Sequence, residues 1–349
     1  MAVDCTRALR LIVGLGPGVA VGEVGGRRGG PLVVGVELTG RPRCGGCGWH
    51  TAMAAVHRWG RALLEADPGR IEGVRAVGLD EMLMFRRGPF RERHWGITIV
   101  DTRRGILLDI VAGRSAKGAT RWIQGRTPLW RKRIRWAVMD LSGPYRKAFR
   151  DTVPHAAQIA DPFHVVKLAN STIDDVRRRV QNETTGGRDT THDPLYRIRR
   201  LLLKAAERVT DRGRTKLVGL LAAGDPRGEV RDARHAKETL RGIYRIPSRE
   251  LALEALDELS RDPRDETYSA ELNKHGRTLN AWRTQITNRH RSRVTNGPTE
   301  AANNLAKLIK RVSFGITNFD HYRTRVLLYA GKPDWTLLDT LTPRQKAKS

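Results

Sequence analysis

The sequence predicts an α/β chain: a mixed sheet with helices packed on it, followed by a long, mainly helical stretch. Three observations lead there. Apolar, β-branched runs at Val74–Asp80, His94–Val100 and Ile106–Val111 read as strands, the last two joined by the short turn Asp101–Gly105. Two further strand-like runs, Ile134–Met139 and Ala156–Ala160, alternate with helical segments, which is the order that places helices on a sheet. From Phe163 to about Arg291 the apolar residues recur at helical spacing instead.

Residues 1–48 are rich in glycine and weakly patterned. Within them Leu32–Leu38 reads as a strand behind a Gly-Pro turn. Gly14, Gly16 and Gly18 have the spacing G-x-G-x-G, with Pro17 where a helix would open, so they do not make a dinucleotide loop. Cys44-Gly45-Gly46-Cys47 is half of a zinc ribbon. Closed structural sites hold four ligands. The only other cysteine is Cys5, and the spacing of His50 and His57 does not demand a nitrogen ligand, so no zinc is expected.

Thr51–Ala66 has helical periodicity through Ala54, Ala55, Arg58, Ala62 and Leu63, and Pro68-Gly69 stops it. Ala116–Gln124 and Pro144–Thr152 are short helices, the second with proline in its first turn. Val166, Ala169, Ile173, Val176 and Val180 form an apolar stripe, with Arg177, Arg178 and Arg179 expected to face mostly elsewhere. Gly186-Gly187 marks a loop. Helices are expected at Tyr196–Val209, Thr215–Ala223, Val230–Tyr244, Glu250–Leu259, Leu272–Thr287 and, behind the turn Asn296-Gly297-Pro298, Thr299–Arg311.

The 349 residues carry 64 Lys plus Arg against 37 Asp plus Glu, a formal charge of +27, and 51 of the bases are arginine. Arginine is the better bidentate partner for phosphate, and so large a charge points to a polyanion, nucleic acid first. Three cysteines exclude a disulfide scaffold and suit a reducing cytoplasm. The longest uncharged apolar stretch, Leu11–Gly22, contains four glycines and a proline and is too short to span a bilayer, so no membrane partner is expected. No basic segment precedes it, so a signal peptide is not expected.

Three acids stand out by position. Asp80 and Asp140 end strands that are otherwise apolar, and Glu300 opens a helix behind a tight turn. In open sheets ligands gather beyond the carboxyl ends of strands. Converging carboxylates would resist ionisation together, and divalent cations relieve that repulsion. Hard oxygen ligands suit Mg²⁺ or Mn²⁺, and two such ions stabilise the attacking and leaving oxygens of an in-line phosphoryl displacement. Taken singly, each acid also fits an ordinary role, as a turn former or a favourable helix N-terminal charge.

The stretch from Val77-Gly78-Leu79-Asp80-Glu81 onward resembles the insertion-sequence transposases of the ISL3 type, a branch of the DDE transposases. The resemblance runs through Asp140-Leu141-Ser142-Gly143-Pro144-Tyr145, Asp161-Pro162-Phe163-His164-Val165-Val166-Lys167-Leu168 and Asp193-Pro194-Leu195-Tyr196-Arg197. It continues in Asn296-Gly297-Pro298-Thr299-Glu300-Ala301-Ala302-Asn303-Asn304, Lys310-Arg311-Val312-Ser313-Phe314-Gly315 and Asn318-Phe319-Asp320-His321-Tyr322-Arg323, covering about residues 73–337.

The resemblance implies an RNase H-like core interrupted by a helical insertion, with Asp80, Asp140 and Glu300 as the metal-binding triad and Asp161 and His164 in a motif of undefined role. The core would occupy residues 73–165 and 291–330, with the insertion at 166–290 between them and a basic tail at 331–349. Members of this type usually carry a complete Cys₄ ribbon and a helix-turn-helix ahead of the core. Here Cys47 runs almost directly into Trp49-His50-Thr51-Ala52-Met53-Ala54-Ala55-Val56, similar to the end of a recognition helix. Residues 1–50 then read as a degenerate ribbon remnant and 51–72 as the helix left from the reader module.

The activity implied is metal-dependent DNA cleavage and strand transfer in the cytoplasm, on the nucleoid, by a homo-oligomer assembled on element ends and target. Arg177, Arg178, Arg179, Arg199, Arg200, Arg311, Arg323 and Arg325 would lie along the phosphate backbone, although a solvated helix face is the commoner use of any one of them. Trp136 and Trp282 could stack a base, against the commoner use of such residues in cores. Two other functions fit the same residues: a non-catalytic DNA-binding remnant that interferes with a full-length relative, and a structure-specific nuclease.

Overall fold

The computed structural model describes residues 20–25, 33–37, 49–186, 191–260, 268–313 and 316–341. The Gly14–Gly18 segment, the Cys44/Cys47 pair, the loop at 187–190 and the tail at 342–349 lie outside the described residues. Strands β1 (Ala20–Gly25) and β2 (Val33–Glu37) pair antiparallel, and β2 is the strand expected at Leu32–Leu38. Helix α1 (Trp49–Ala66) ends at Asp67, whose carboxylate accepts the Arg70 N–H at 3.1 Å and caps the single turn Pro68–Ile71.

A meander follows: β3 (Ala76–Arg87), β4 (Glu92–Asp101) and β5 (Ile106–Ala112). Strand β3 does not end on Asp80, where its first apolar run stops. It continues to Arg87, because Met82, Met84 and Phe85 find a core to enter beyond the polar pair Asp80-Glu81. Helix α2 (Ala116–Gln124) falls where expected. The additional α3 (Pro128–Arg133) opens on a Thr127 cap and a proline at its first position. Next come β6 (Trp136–Met139), α4 (Gly143–Thr152) capped by Ser142, and β7 (Ala157–Ala160).

The strand order is β5-β4-β3-β6-β7. Strands β4 and β5 are antiparallel, whereas β6 runs parallel to both β3 and β7, so the sheet is mixed as expected and consistent with an RNase H-like fold.

Helices α5 (Pro162–Thr185), α6 (Pro194–Leu203), α7 (Asp211–Gly224), α8 (Glu229–Ile243), α9 (Arg249–Leu259), α10 (Ala270–Thr287) and the short α11 (Arg289–Ser292) form the helical stretch. Helix α6 stops at Leu203, short of the expected Val209, and a separate turn covers Ala206–Arg208. Helix α12 (Gly297–Val312) carries Glu300, and α13 (Phe319–Ala330) follows it.

The chain divides into two compact units, 1–74 with 81–118 and 298–349, and 75–80 with 119–297. In the first, Met82, Met84, Phe85, Val100, Leu107 and Ile110 pack with Ala302, Ala306 and Ile309 of α12 and with Tyr322, Val326 and Leu327 of α13. The Tyr322 hydroxyl donates to the Ala306 carbonyl at 2.9 Å, so this large buried ring also satisfies its polar end. Thr98 of β4 donates to the Asn303 side chain at 2.9 Å, which fixes α12 on the strand. A Cβ on Gly60 of α1 would fall 2.7 Å from a terminal methyl of Leu328, so a larger residue there would have to displace that side chain between α1 and α13.

In the second unit Ile173, Val176 and Val180 of α5 pack with Leu195, Ile198 and Leu202 of α6, Leu217 of α7 and Val230 and Ala233 of α8. Lys237 of α8 is 1 % exposed and donates to the Leu202 and Lys204 carbonyls, each at 2.9 Å. Its ammonium thereby satisfies carbonyls that the end of α6 would otherwise leave open.

Candidate active site

The register of the parallel strands lines up three acids in the second unit. Gly78 pairs with Val138 and Met139 with Ala160, so two residues further along β3 Asp80 is level with Asp140, and Asp140 is level with Asp161. Neighbouring strands lie about 4.8 Å apart, and residues at one level point to the same face. The row stands at the carboxyl ends of β6 and β7. Asp80 and Asp140 are half-buried, and Asp161 is buried.

Asp161 occupies the position before α5 from which an aspartate normally caps a helix, yet its carboxylate makes no cap bond. It accepts the backbone N–H of Asn296 at 2.9 Å through Oδ1 and faces His164 Nδ1 at 3.2 Å through Oδ2. The same Asp-Pro dipeptide opens α6, and there Asp193 caps in the ordinary way, accepting the Tyr196 N–H at 3.0 Å. Local sequence is therefore not what diverts Asp161; its surroundings do. Asn296 is itself fully buried, and both polar atoms of its side-chain amide lack a hydrogen-bond partner among the described residues.

His164 feels the whole row. Its pKa is raised, first by the hydrogen bond to Asp161 and then, against the opposing effect of burial, by the charges of Asp161, Asp140 and Asp80. The negative potential that stabilises an imidazolium there would also stabilise a metal cation. The donors are hard carboxylate oxygens, the set that suits Mg²⁺ or Mn²⁺.

Of the three acids singled out in the sequence, the second unit brings Asp80 and Asp140 together. Glu300 is carried by the first unit, half-buried in the first turn of α12, where a negative charge is favoured by the helix dipole. Sequence reasoning missed the bond from Asn296 to Asp161, since nothing local in either segment signals it.

The arginines divide sharply. Arg177 was expected to face away from the apolar stripe; it is 4 % exposed and pairs with Asp174 and Gln181. Arg179 is bound to Glu183, Glu229 and Glu271, which tie α5 to α8 and α10. Arg323 grips Asp109 with two bonds of 2.6 and 2.8 Å, and Arg325 donates to Ser313 at 2.9 Å. These four spend their donors inside the protein rather than along a phosphate backbone. Arg199 lies 3.7 Å over the Tyr196 ring and bonds its carbonyl. Arg178, Arg200 and Arg311 are exposed. Trp282 is buried beneath Arg146, which leaves it a core residue.

A family model described as transposase, of the ISL3 type of DDE enzymes, matches residues 77–326. The chain is 26% identical over 285 residues to the transposase for insertion sequence element IS1001 of Bordetella parapertussis, covering 80% of this chain and 66% of that one. It is 26% identical over 295 residues to the transposase for insertion sequence element IS1557 of Mycobacterium tuberculosis, covering 76% and 62%. The chain thus spans somewhat under two thirds of the length of these curated relatives. DDE transposases in general use divalent metal ions, and the donor set at the strand ends is of the kind they need. Among the described residues no helix is long and apolar enough to cross a membrane. With 250 of its residues (77–326) matched, the chain belongs to the ISL3 family of DDE transposases.

Proposed function

We propose that this chain cuts DNA strands at the ends of an insertion sequence and joins them to a target, using Asp80, Asp140 and Glu300 to hold two divalent cations, Mg²⁺ or Mn²⁺. The observation that carries the reading is the register that sets Asp80 level with Asp140 on adjacent parallel strands. Glu300 is included because Asn296, four residues ahead of it, is bonded to Asp161, the third member of the row. When bound, the cations would stabilise the attacking and leaving oxygens of the phosphoryl displacement. Asp161 and His164 are positioning residues in this scheme: Asp161 holds the turn that begins α12, and His164 balances the charge of the row. The partners are DNA and further copies of the chain assembled on it, and the setting is the cytoplasm, on the nucleoid. Arg178, Arg200 and Arg311, being exposed, are the members of the arginine set that contact phosphate.

The test is a strand-cleavage and joining assay on duplexes carrying the terminal inverted repeats that flank the gene. Cleavage and joined products are expected with Mg²⁺ or Mn²⁺. Asp140→Asn is expected to lose both while binding DNA as well or slightly better, because a negative charge facing phosphate is gone. Cuts without joined products would make the chain a nuclease. Binding without any metal-dependent cleavage would make it a non-catalytic DNA-binding protein.

A further inference from the structure

Between α10 and α12 the chain crosses the end of β7 as a short strap, residues 289–295, fastened at both ends. At one end the Asn288 side-chain amide donates to the Gln158 carbonyl of β7 at 2.9 Å, and His290 Nδ1 bonds the Ile246 carbonyl at 2.8 Å. At the other end the Asn296 N–H is bound to Asp161. Asn288 and Asn296 are both buried, so the fastenings are inside and the span between them is outside. That span reads Arg289-His290-Arg291-Ser292-Arg293-Val294-Thr295.

Arg291 and Arg293 are exposed, and neither forms an ion pair among the described residues; Arg291 lies in the field of Glu250 without a bond to it. Where Arg177, Arg179 and Arg323 are held by carboxylates, these two face solvent on a span anchored to Asp161. Arg293 is also held at φ 54, ψ 14 as the residue that ends α11, its N–H donating to the Arg289 carbonyl at 2.7 Å. Glycine is the residue that takes this left-handed position at least cost. An arginine kept there is a backbone outlier, and such outliers gather at functional sites.

We propose that this strap is a phosphodiester grip, in which Arg291 and Arg293 hold the DNA backbone about one or two phosphates from the carboxylate row. Arg293 stands three residues from Asn296, and three residues span at most about 11 Å. The Arg293 backbone is thereby tethered within that span of the residue bonded to Asp161, and its long side chain would reach a neighbouring phosphate of a strand whose scissile bond lies at the row. The fork of donors on arginine suits this contact, and the contact to phosphate positions the strand without reading its sequence. The inference rests on the active-site reading above for where the scissile bond lies, but its binding readout does not need cleavage.

The test uses Arg291→Gln, Arg293→Gln and Arg293→Gly in the full chain, with Arg212→Gln, an exposed arginine on α7, as the reference. Affinity for a synthetic duplex is measured across a salt series. Each strap variant is expected to lower the slope of log affinity against log salt by about 1, and affinity at 0.1 M salt by about eightfold. Arg293→Gly keeps the folded backbone, so its melting temperature should stay level or rise while the slope still falls. That variant separates loss of the grip from loss of the fold. Single neutral methylphosphonate linkages walked along the strand should weaken the parent chain at one or two positions and leave Arg293→Gly indifferent at one of them.

Unchanged slope and affinity in Arg293→Gly and Arg291→Gln would overturn the grip, whatever Asp140→Asn does in the cleavage assay. A normal cleavage rate in Asp140→Asn, with the slopes lowered as stated, would overturn the active site and leave the grip as a DNA-binding element.

Discussion

Asp161 and Asp193 each precede a proline at the start of a helix, and only Asp193 spends its carboxylate on the helix. Removing the two should therefore have different consequences. Asp193→Ala is expected to cost about 1 kcal/mol, the usual value of a helix cap, and to leave strand cleavage intact. Asp161→Ala strands the buried Asn296 N–H, which costs about 1–3 kcal/mol, and should abolish cleavage because the turn carrying α12 loses its anchor. Denaturant unfolding and the cleavage assay on both variants check this, and equal loss of activity in the two would show that Asp161 acts on cleavage only through stability. That Asp80 and Asp140 stand at one level was partly legible, because each follows an apolar β run. Arg177 was not. It lies four residues after Ile173 and three before Val180, hence on the stripe those residues bury, and a run of three arginines hides the one that points inward.

Elements were legible where one period dominated. The expected spans of α2, α8, α9 and α10 match within two residues, since each has an apolar stripe and a clear stop. The overrun of β3 past Asp80 was hidden by two adjacent acids, and the early end of α6 by Lys237, which captures its last carbonyls from another helix. Such long-range partners leave no local trace. Helix α10 also carries a liability that periodicity alone does not show. His275 is buried with neither ring nitrogen bonded among the described residues, and burial pushes its pKa down to about 4. Between that value and its ordinary 6.5 the unfolded chain binds the extra proton, so stability falls as pH drops through this window and is level above it. The full effect is about 3 kcal/mol. His275→Leu should remove most of it, so the variant and parent ought to differ little at pH 7.5 and clearly at pH 5 in thermal unfolding. A parent curve flat from pH 7.5 to 5 would refute the assignment.

At the scale of the whole molecule the charge of +27 outweighs any single contact. Some of the arginine is internally neutralised, as at the Arg179 hub and the Arg323–Asp109 fork, so affinity for duplex should depend on the exposed remainder. A protein making six or more phosphate contacts loses about 10³-fold in affinity or more between 50 and 200 mM salt, and a loss of that size is expected here for random duplex. A fall of under about tenfold, measured by fluorescence anisotropy, would mean that fewer than two phosphates are held. Lys237 offers a different kind of handle. Of 13 lysines it is shut in to 1 % exposure, with its burial pushing the pKa of the amine down. An amine-modifying reagent cannot reach it until α6 and α8 part, and once reached a less protonated amine reacts readily. Its slow acylation, followed by mass spectrometry against the faster surface lysines, would act as a clock for the parting of α6 and α8, readable with and without DNA and with no label added to the chain.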